Sequence, residues 1–149
     1  MRFVIPFLCL CFVFSCQKSK SKEQANSDTA TSLSGVPDFD KFYYRFHADS
    51  IFQVKSIQFP LQGIPANAGE LEIDESSFRW KEEDWTFHQL ITDPAFESTF
   101  QVLDESLITE YIIHKNEKMG MKRRFSKSID DQWKLIYYAS MNPIAIKRN

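Results

Sequence analysis

Phe39, Phe42, Tyr43 and Phe46 fall at i, i+3, i+4 and i+7 within the run FDKFYYRFHADSIFQVKSIQFPL, and no other feature limits the fold as tightly. On a helix that spacing lines four aromatic rings along one stripe, which a stable fold must cover with something wide and apolar. The same run supplies the start of the cover. Ser50 followed by Gln53 has the form of a capping box, so a second short helix is expected after the Ala48–Asp49 break. Ile57, Phe59 and Leu61 then alternate with Ser56, Gln58 and Gln62, the period of a half-buried strand. Pro60, which has no N–H to give a sheet ladder, is expected to make that strand an edge or to end it.

The rest of the cover follows downstream. After the loop GIPANAG, Leu71 and Ile73 alternate with acidic residues as a short strand with one wet face, and Phe78-Arg79-Trp80 continues the sheet. KEEDW reads as a polar or single helical turn, and Trp85, Phe87, Leu90 and Ile91 as a further strand or a buried segment. Asp93-Pro94 has the form of a cap followed by a first helical position and predicts a short helix around Ala95–Ser98. Strands are expected at Phe100–Leu103, Leu107–His114, Met121–Ser128 and Gln132–Met141, with turns at Asn116–Gly120 and Asp130-Asp131, an antiparallel meander. In the last strand the alternation puts Trp133, Leu135, Tyr137 and Ala139 on one face. Lys122, Arg123, Arg124 and Lys127 alternate between faces, which argues against one anion site and for protection of an edge strand. A helical start followed by such a sheet is α+β, with the first helix packed on a curved antiparallel sheet.

The N-terminus carries an address. Met1-Arg2 precede the apolar run FVIPFLCLCFVF, too short to span a hydrocarbon core of about 30 Å and of the length of a signal-peptide h-region. Val13-Phe14-Ser15-Cys16 has the form of a bacterial lipobox, with Cys16 as the lipidated first residue of the mature chain. Cys9 and Cys11 would leave with residues 1–15, so the exported protein would have no internal disulfide. Residues 16–37 are rich in Ser, Thr, Lys and Ala and read as a flexible tether. One domain is expected over residues 38–143, and residues 144–149 form a tail. Gln17 in place of Asp, and the absence of an acidic cluster after Cys16, point to the periplasmic face of an outer membrane.

Catalytic and ligand chemistry is sparse. His47, His88 and His114 have no metal-ligand spacing, and no nucleophile elbow, phosphate-binding glycine loop or dinucleotide fingerprint occurs. No metal and no cofactor is expected. With 18 basic and 20 acidic residues, charge gives no reason to expect a nucleic-acid partner. Aromatic residues make up 15% of the chain. Trp80, Trp85, Phe100, Tyr111, Trp133 and Tyr137 are the candidates to line a cavity, with core packing as the alternative role. Tyr111, Ile113, Ile136 and Tyr138 leave the second sheet face apolar enough to need a helix, a partner chain or a ligand. Glu82, Glu83 and Asp84 read as a solvated turn.

Phe39, Phe42, Phe46, Asp49, Phe52, Gln53, Ile57, Phe59, Pro60 and Leu61, with Trp80 and the closing Trp133-Lys134-Leu135, resemble a family of Bacteroides-group lipoproteins catalogued as a domain of unknown function. The resemblance spans Phe39 to Pro143 and implies an NTF2-like or cystatin-like α+β roll with no established activity. A roll of that kind can enclose a pocket between helix and sheet, and by analogy His47, Asp49, Tyr111 and His114 are the groups to consider as a general base. Three readings follow. The first is a tethered, non-catalytic module that binds a small apolar or aromatic ligand or a protein. The second is an NTF2-like isomerase or hydrolase, and the third a homodimer formed through the sheet.

Overall fold

The computed structural model describes residues 32–70, 73 and 76–144. The signal segment, Cys16, the tether as far as residue 31, most of the strand expected around Leu71 and the tail from residue 145 lie outside the described residues. Among the described residues no helix is long and apolar enough to cross a membrane.

Helix α1 (Pro37–Ala48) starts with proline in its first turn, where a missing N–H costs nothing, and has Asp38 and Asp40 at its positive end. Phe39, Phe42, Tyr43 and Phe46 are all buried. Helix α2 (Ser50–Lys55) follows after one residue. Its cap is Asp49, not Ser50: the Phe52 N–H donates to Asp49 Oδ1 at 2.9 Å. Gln53 does not return to the helix start as a capping box would require. It is fully buried, donating from Nε2 to the carbonyls of Phe46 and His88 at 2.8 Å and accepting at Oε1 from Trp85 Nε1 and the His88 N–H. Two donors and two acceptor contacts satisfy one side-chain amide, and they pin the irregular segment after Trp85 to the corner between α1 and α2.

Among the described residues six strands form one sheet in the order β2-β1-β6-β5-β4-β3: β1 Ile57–Ile64, β2 Arg79–Trp80, β3 Phe96–Asp104, β4 Leu107–His114, β5 Met119–Lys127 and β6 Trp133–Pro143. Glu82–Asp84 form one exposed 3-10 turn after β2. Strands β3 to β6 are the antiparallel meander, but β1 runs parallel to β6, so the sheet is mixed. Pro60 neither ends β1 nor puts it on an edge. The β1–β6 register breaks between Ile57 and Gln62, so the residue without an N–H sits in an interruption of the ladder, and pairing resumes beyond it. Ala95–Ser98 is not helical: Asp93 Oδ1 accepts from the Ala95 N–H, and β3 begins at Phe96, opposite His114. Cross-strand pairing there overrides a local helix-start signal.

Two further expectations change with the register. Phe125 pairs with Leu135 and Arg124 with Tyr137, so β6 holds an extra residue at Ile136. This bulge reverses the alternation: Trp133, Leu135 and Tyr138 face the core, while Tyr137 turns outward. Strand β5 lies between β4 and β6, so its basic residues do not protect an edge.

The core lies between α1 and the inner face of the sheet. The Phe39 ring meets Trp133 at 5.0 Å, Phe125 at 5.3 Å and Phe100 at 6.0 Å, all edge to face. Trp133 also donates from Nε1 to Asp38 Oδ2 at 3.0 Å, and Lys127 Nζ reaches the same carboxylate oxygen at 2.6 Å. Trp133→Phe keeps the ring packing and loses that hydrogen bond, so a stability loss of about 1 kcal/mol is expected in urea unfolding. Where β1 passes β6, a Cβ on Gly63 would lie 1.8 Å from the Tyr138 carbonyl oxygen, so glycine is required by the close approach.

Candidate functional site

The six aromatic residues expected around a cavity are distributed over three places. Phe100 and Trp133 are packed on Phe39 inside the core. Trp80 and Trp85 stand beside Tyr138 at the β1 side of the sheet, with ring centroids 5.4 and 5.5 Å from it. Tyr111 and Tyr137 point away from α1, on register positions of the outward face. Trp85 also lines a cleft of about 460 Å³ with Ile51, Val54 and Phe87, rimmed by Lys55 and Glu82.

The four candidate bases also stay apart. Asp49 is a helix cap, Tyr111 is outward with its hydroxyl 3.2 Å from Gln101 Oε1, and His114 Nδ1 accepts from the Glu117 N–H at the end of β4. Only His47 reaches the interior.

There it joins Glu110, which no sequence pattern singled out, and Arg123, one of the basic residues expected to protect an edge strand. Glu110 is fully buried and Arg123 is 3% exposed; they are direct cross-strand partners on the inner face. Arg123 Nη1 donates to Glu110 Oε2 at 3.1 Å, and the Tyr43 hydroxyl donates to Oε1 at 2.5 Å. Each carboxylate oxygen therefore has its own donor, one from the sheet and one from α1. Burial, and then the adjacent Glu110 charge, push the Tyr43 hydroxyl far up, so it keeps its proton.

His47, 5% exposed, lies with its ring 4.5 Å from that of Tyr43. Its Nδ1 is 2.9 Å from the His88 carbonyl oxygen. A carbonyl can only accept, so Nδ1 carries the hydrogen and Nε2 presents a lone pair. Burial, followed by the Arg123 charge, lowers the His47 pKa to about 4. Burial, Arg123 and then His47 lower His88 to about 3. His47 Nε2, His88 Nδ1 and Arg123 Nε have no hydrogen-bond partner among the described residues.

At neutral pH the two imidazoles are thus uncharged, Tyr43 is protonated and Glu110 is held by two donors. Neither imidazole, nor the Tyr43 hydroxyl, is poised near pH 7 to exchange a proton. The signal that could have revealed the cluster is phase: Glu110 sits between Ile108 and Ile112, and Arg123 two before Phe125, each on the apolar parity of its strand. Among the described residues no group of three or more His, Cys, Asp or Glu could hold a metal ion.

This architecture matches a solved structure. A cystatin-like protein from Bacteroides caccae superposes with a TM-score of 0.51 at 19% identity, covering 68% of this chain and 74% of that one. The fold is cystatin-like. An NTF2-like protein from Bacteroides fragilis aligns with a TM-score of 0.46 at 18% identity over 68% of this chain and 45% of that one. No family model and no curated protein matches the chain.

Proposed function

We propose that this cystatin-like chain is an NTF2-like roll used as a non-catalytic binding module, held to the cell envelope by a lipidated Cys16. The observation that carries the non-catalytic part is the state of the space between α1 and the sheet. Phe39, Phe46, Phe125 and Leu135 are fully buried there, and the polar groups among them are paired or held neutral. A substrate would have to displace close-packed rings to reach Glu110 or His47. Recognition is then a matter of outer surfaces.

The tether is supported by the leader, the lipobox-like Val13–Cys16 run and the polar segment before Pro37. A diacylglyceryl group with an acylated amine supplies several chains, enough for stable anchoring where one chain holds only marginally. Gln17 and the lack of acidic residues next to Cys16 favour the periplasmic face of the outer membrane. The test is metabolic labelling with an alkynyl fatty acid and fractionation of cells expressing the full chain or Cys16→Ala. Loss of label and release from the membrane fraction are expected for Cys16→Ala. Unchanged label and sedimentation would overturn the tether. Digestion of the domain by protease added to intact cells would overturn its periplasmic placement.

A further inference from the structure

The outward face of the sheet carries recognition chemistry that the packed inner face does not. Register aligns Arg79, Gln62, Tyr137, Arg124, Thr109 and Gln101 in one row across all six strands. One row further along, Lys122 stands opposite Tyr111. Lys122 Nζ lies 4.8 Å from the Tyr137 ring centroid and the Arg124 guanidinium carbon 6.0 Å from it, so one ring holds two cations together.

Lys134, beside Ser126, adds a further cation, so Arg79, Lys122, Arg124 and Lys134 stand on this face with two carboxylates of the described strand residues, Glu97 and, in the row of Ser126 and Lys134, Asp104. Arg79 donates to the Ser76 and Phe78 carbonyls and Arg124 to the Thr109 hydroxyl, neutral acceptors that leave these two charges without a carboxylate partner among the described residues. The surface also carries two clefts. A polar cleft of about 450 Å³ is bordered by Gln58, Gln62, Arg79 and Ser126, and a more apolar one of about 300 Å³ by Tyr111, Ile113 and Lys122.

We propose that this face binds a carboxylate-bearing glycan. Guanidinium groups match carboxylates in a two-point geometry. Amide side chains beside them suit ring hydroxyls, and the Tyr111 ring offers an apolar wall with a polar tip. A flat anionic membrane would be met by protruding cations, whereas these flank clefts and rings. The inference rests on the binding-module reading and names its ligand class.

The test uses the full chain in detergent micelles, titrated with a fluorescein-labelled oligogalacturonate and with its methyl ester, which keeps the rings and removes the charge. The acid is expected to bind, the ester to bind at least about tenfold more weakly, and Arg124→Gln and Arg79→Gln each to weaken the acid by about tenfold, or roughly 1.4 kcal/mol. Both variants should keep the wild-type melting temperature, since neither residue has a carboxylate partner to lose among the described residues. Tyr111→Ala should weaken acid and ester alike.

Equal affinity for acid and ester, or no binding of either, would overturn the proposal. So would Arg124-dependent binding to phosphatidylserine vesicles in place of the oligomer, or an Arg124-dependent dimer in sedimentation that the oligomer does not dissociate. The same titration on Cys16→Ala separates the two readings: glycan binding that survives without the lipid stands independently of the tether.

Discussion

Between pH 7 and pH 4 the domain is expected to lose several kcal/mol of stability through two histidines. His47 and His88 have folded pKa values lowered to about 4 and about 3, against 6.5 for the free side chain. The unfolded chain therefore takes up protons first as pH falls, and it binds more protons than the folded chain throughout that window. Stability is fully present above about 6.5 and declines as pH drops towards 4 and 3. At about 1.4 kcal/mol per pKa unit, each histidine loses on the order of 3 kcal/mol of its contribution between pH 6.5 and pH 4. The two contributions are not additive, because a proton on His47 opposes one on His88. Against a typical total of about 5–15 kcal/mol, this is enough to bring unfolding near pH 4. Urea unfolding at pH 7, 6, 5 and 4 measures the slope, and His88→Leu should remove a large part of it. A wild-type curve flat from pH 7 to 5, or an unchanged slope in His88→Leu, would refute this account. The lowered carboxylates Asp38 and Asp40 act in the opposite half of the scale, below about pH 4, so they do not imitate the effect.

What the sequence made legible is what depends on local period. The stripe from Phe39 to Phe46 is buried, and the four meander strands were located to within a few residues, because spacing alone writes a core face into helix and strand. What failed depended on partners distant in sequence. The β1–β6 parallel pairing joins Gln62 to Tyr137, and no local pattern announces it. The bulge at Ile136 changes which of Tyr137 and Tyr138 is inside, yet both are tyrosine, so the alternation gave no warning. Asp93-Pro94 is a sound helix start, outvoted by the pairing of Phe96 to Val102 with β4.

The candidate site was less legible still. An aromatic residue can serve a core or a cavity equally well, and which one it serves is decided by what stands across from it. Phe100 and Trp133 met Phe39; Tyr111 and Tyr137 met solvent and cations. Glu110 gave no signal of its own because its strand reads as sheet from neighbouring apolar residues, and Arg123 reads only as one of four basic residues divided between two faces of an edge strand. Their parity with Ile108, Ile112 and Phe125 was the informative feature.

Removing one member of the buried pair should cost far more than removing both. Among the described residues, Arg123→Met leaves Glu110 fully buried with only the Tyr43 hydroxyl as donor, and Glu110→Met leaves a guanidinium that is 3% exposed with no carboxylate. An uncompensated charge at such a site costs about 3–5 kcal/mol, since desolvation is no longer offset by attraction. In the double variant Glu110→Met/Arg123→Met both desolvation costs vanish together. What remains is the stranded Tyr43 hydroxyl, at about 1–3 kcal/mol, which adding Tyr43→Phe should largely recover. The double-mutant cycle in urea should therefore be strongly non-additive, with the double variant more stable than either single one; additive losses would show that the pair does not act as a unit. A second readout separates charge from packing. The Arg123 charge is the second cause of the low pKa at both His47 and His88. In the double variant the two imidazoles should titrate at higher pH by NMR while remaining below 6.5, and the loss of stability on acidification should be smaller. Histidine pKa values that stay at about 4 and about 3 there would mean that burial alone sets them and that Arg123 exerts no field on the cluster.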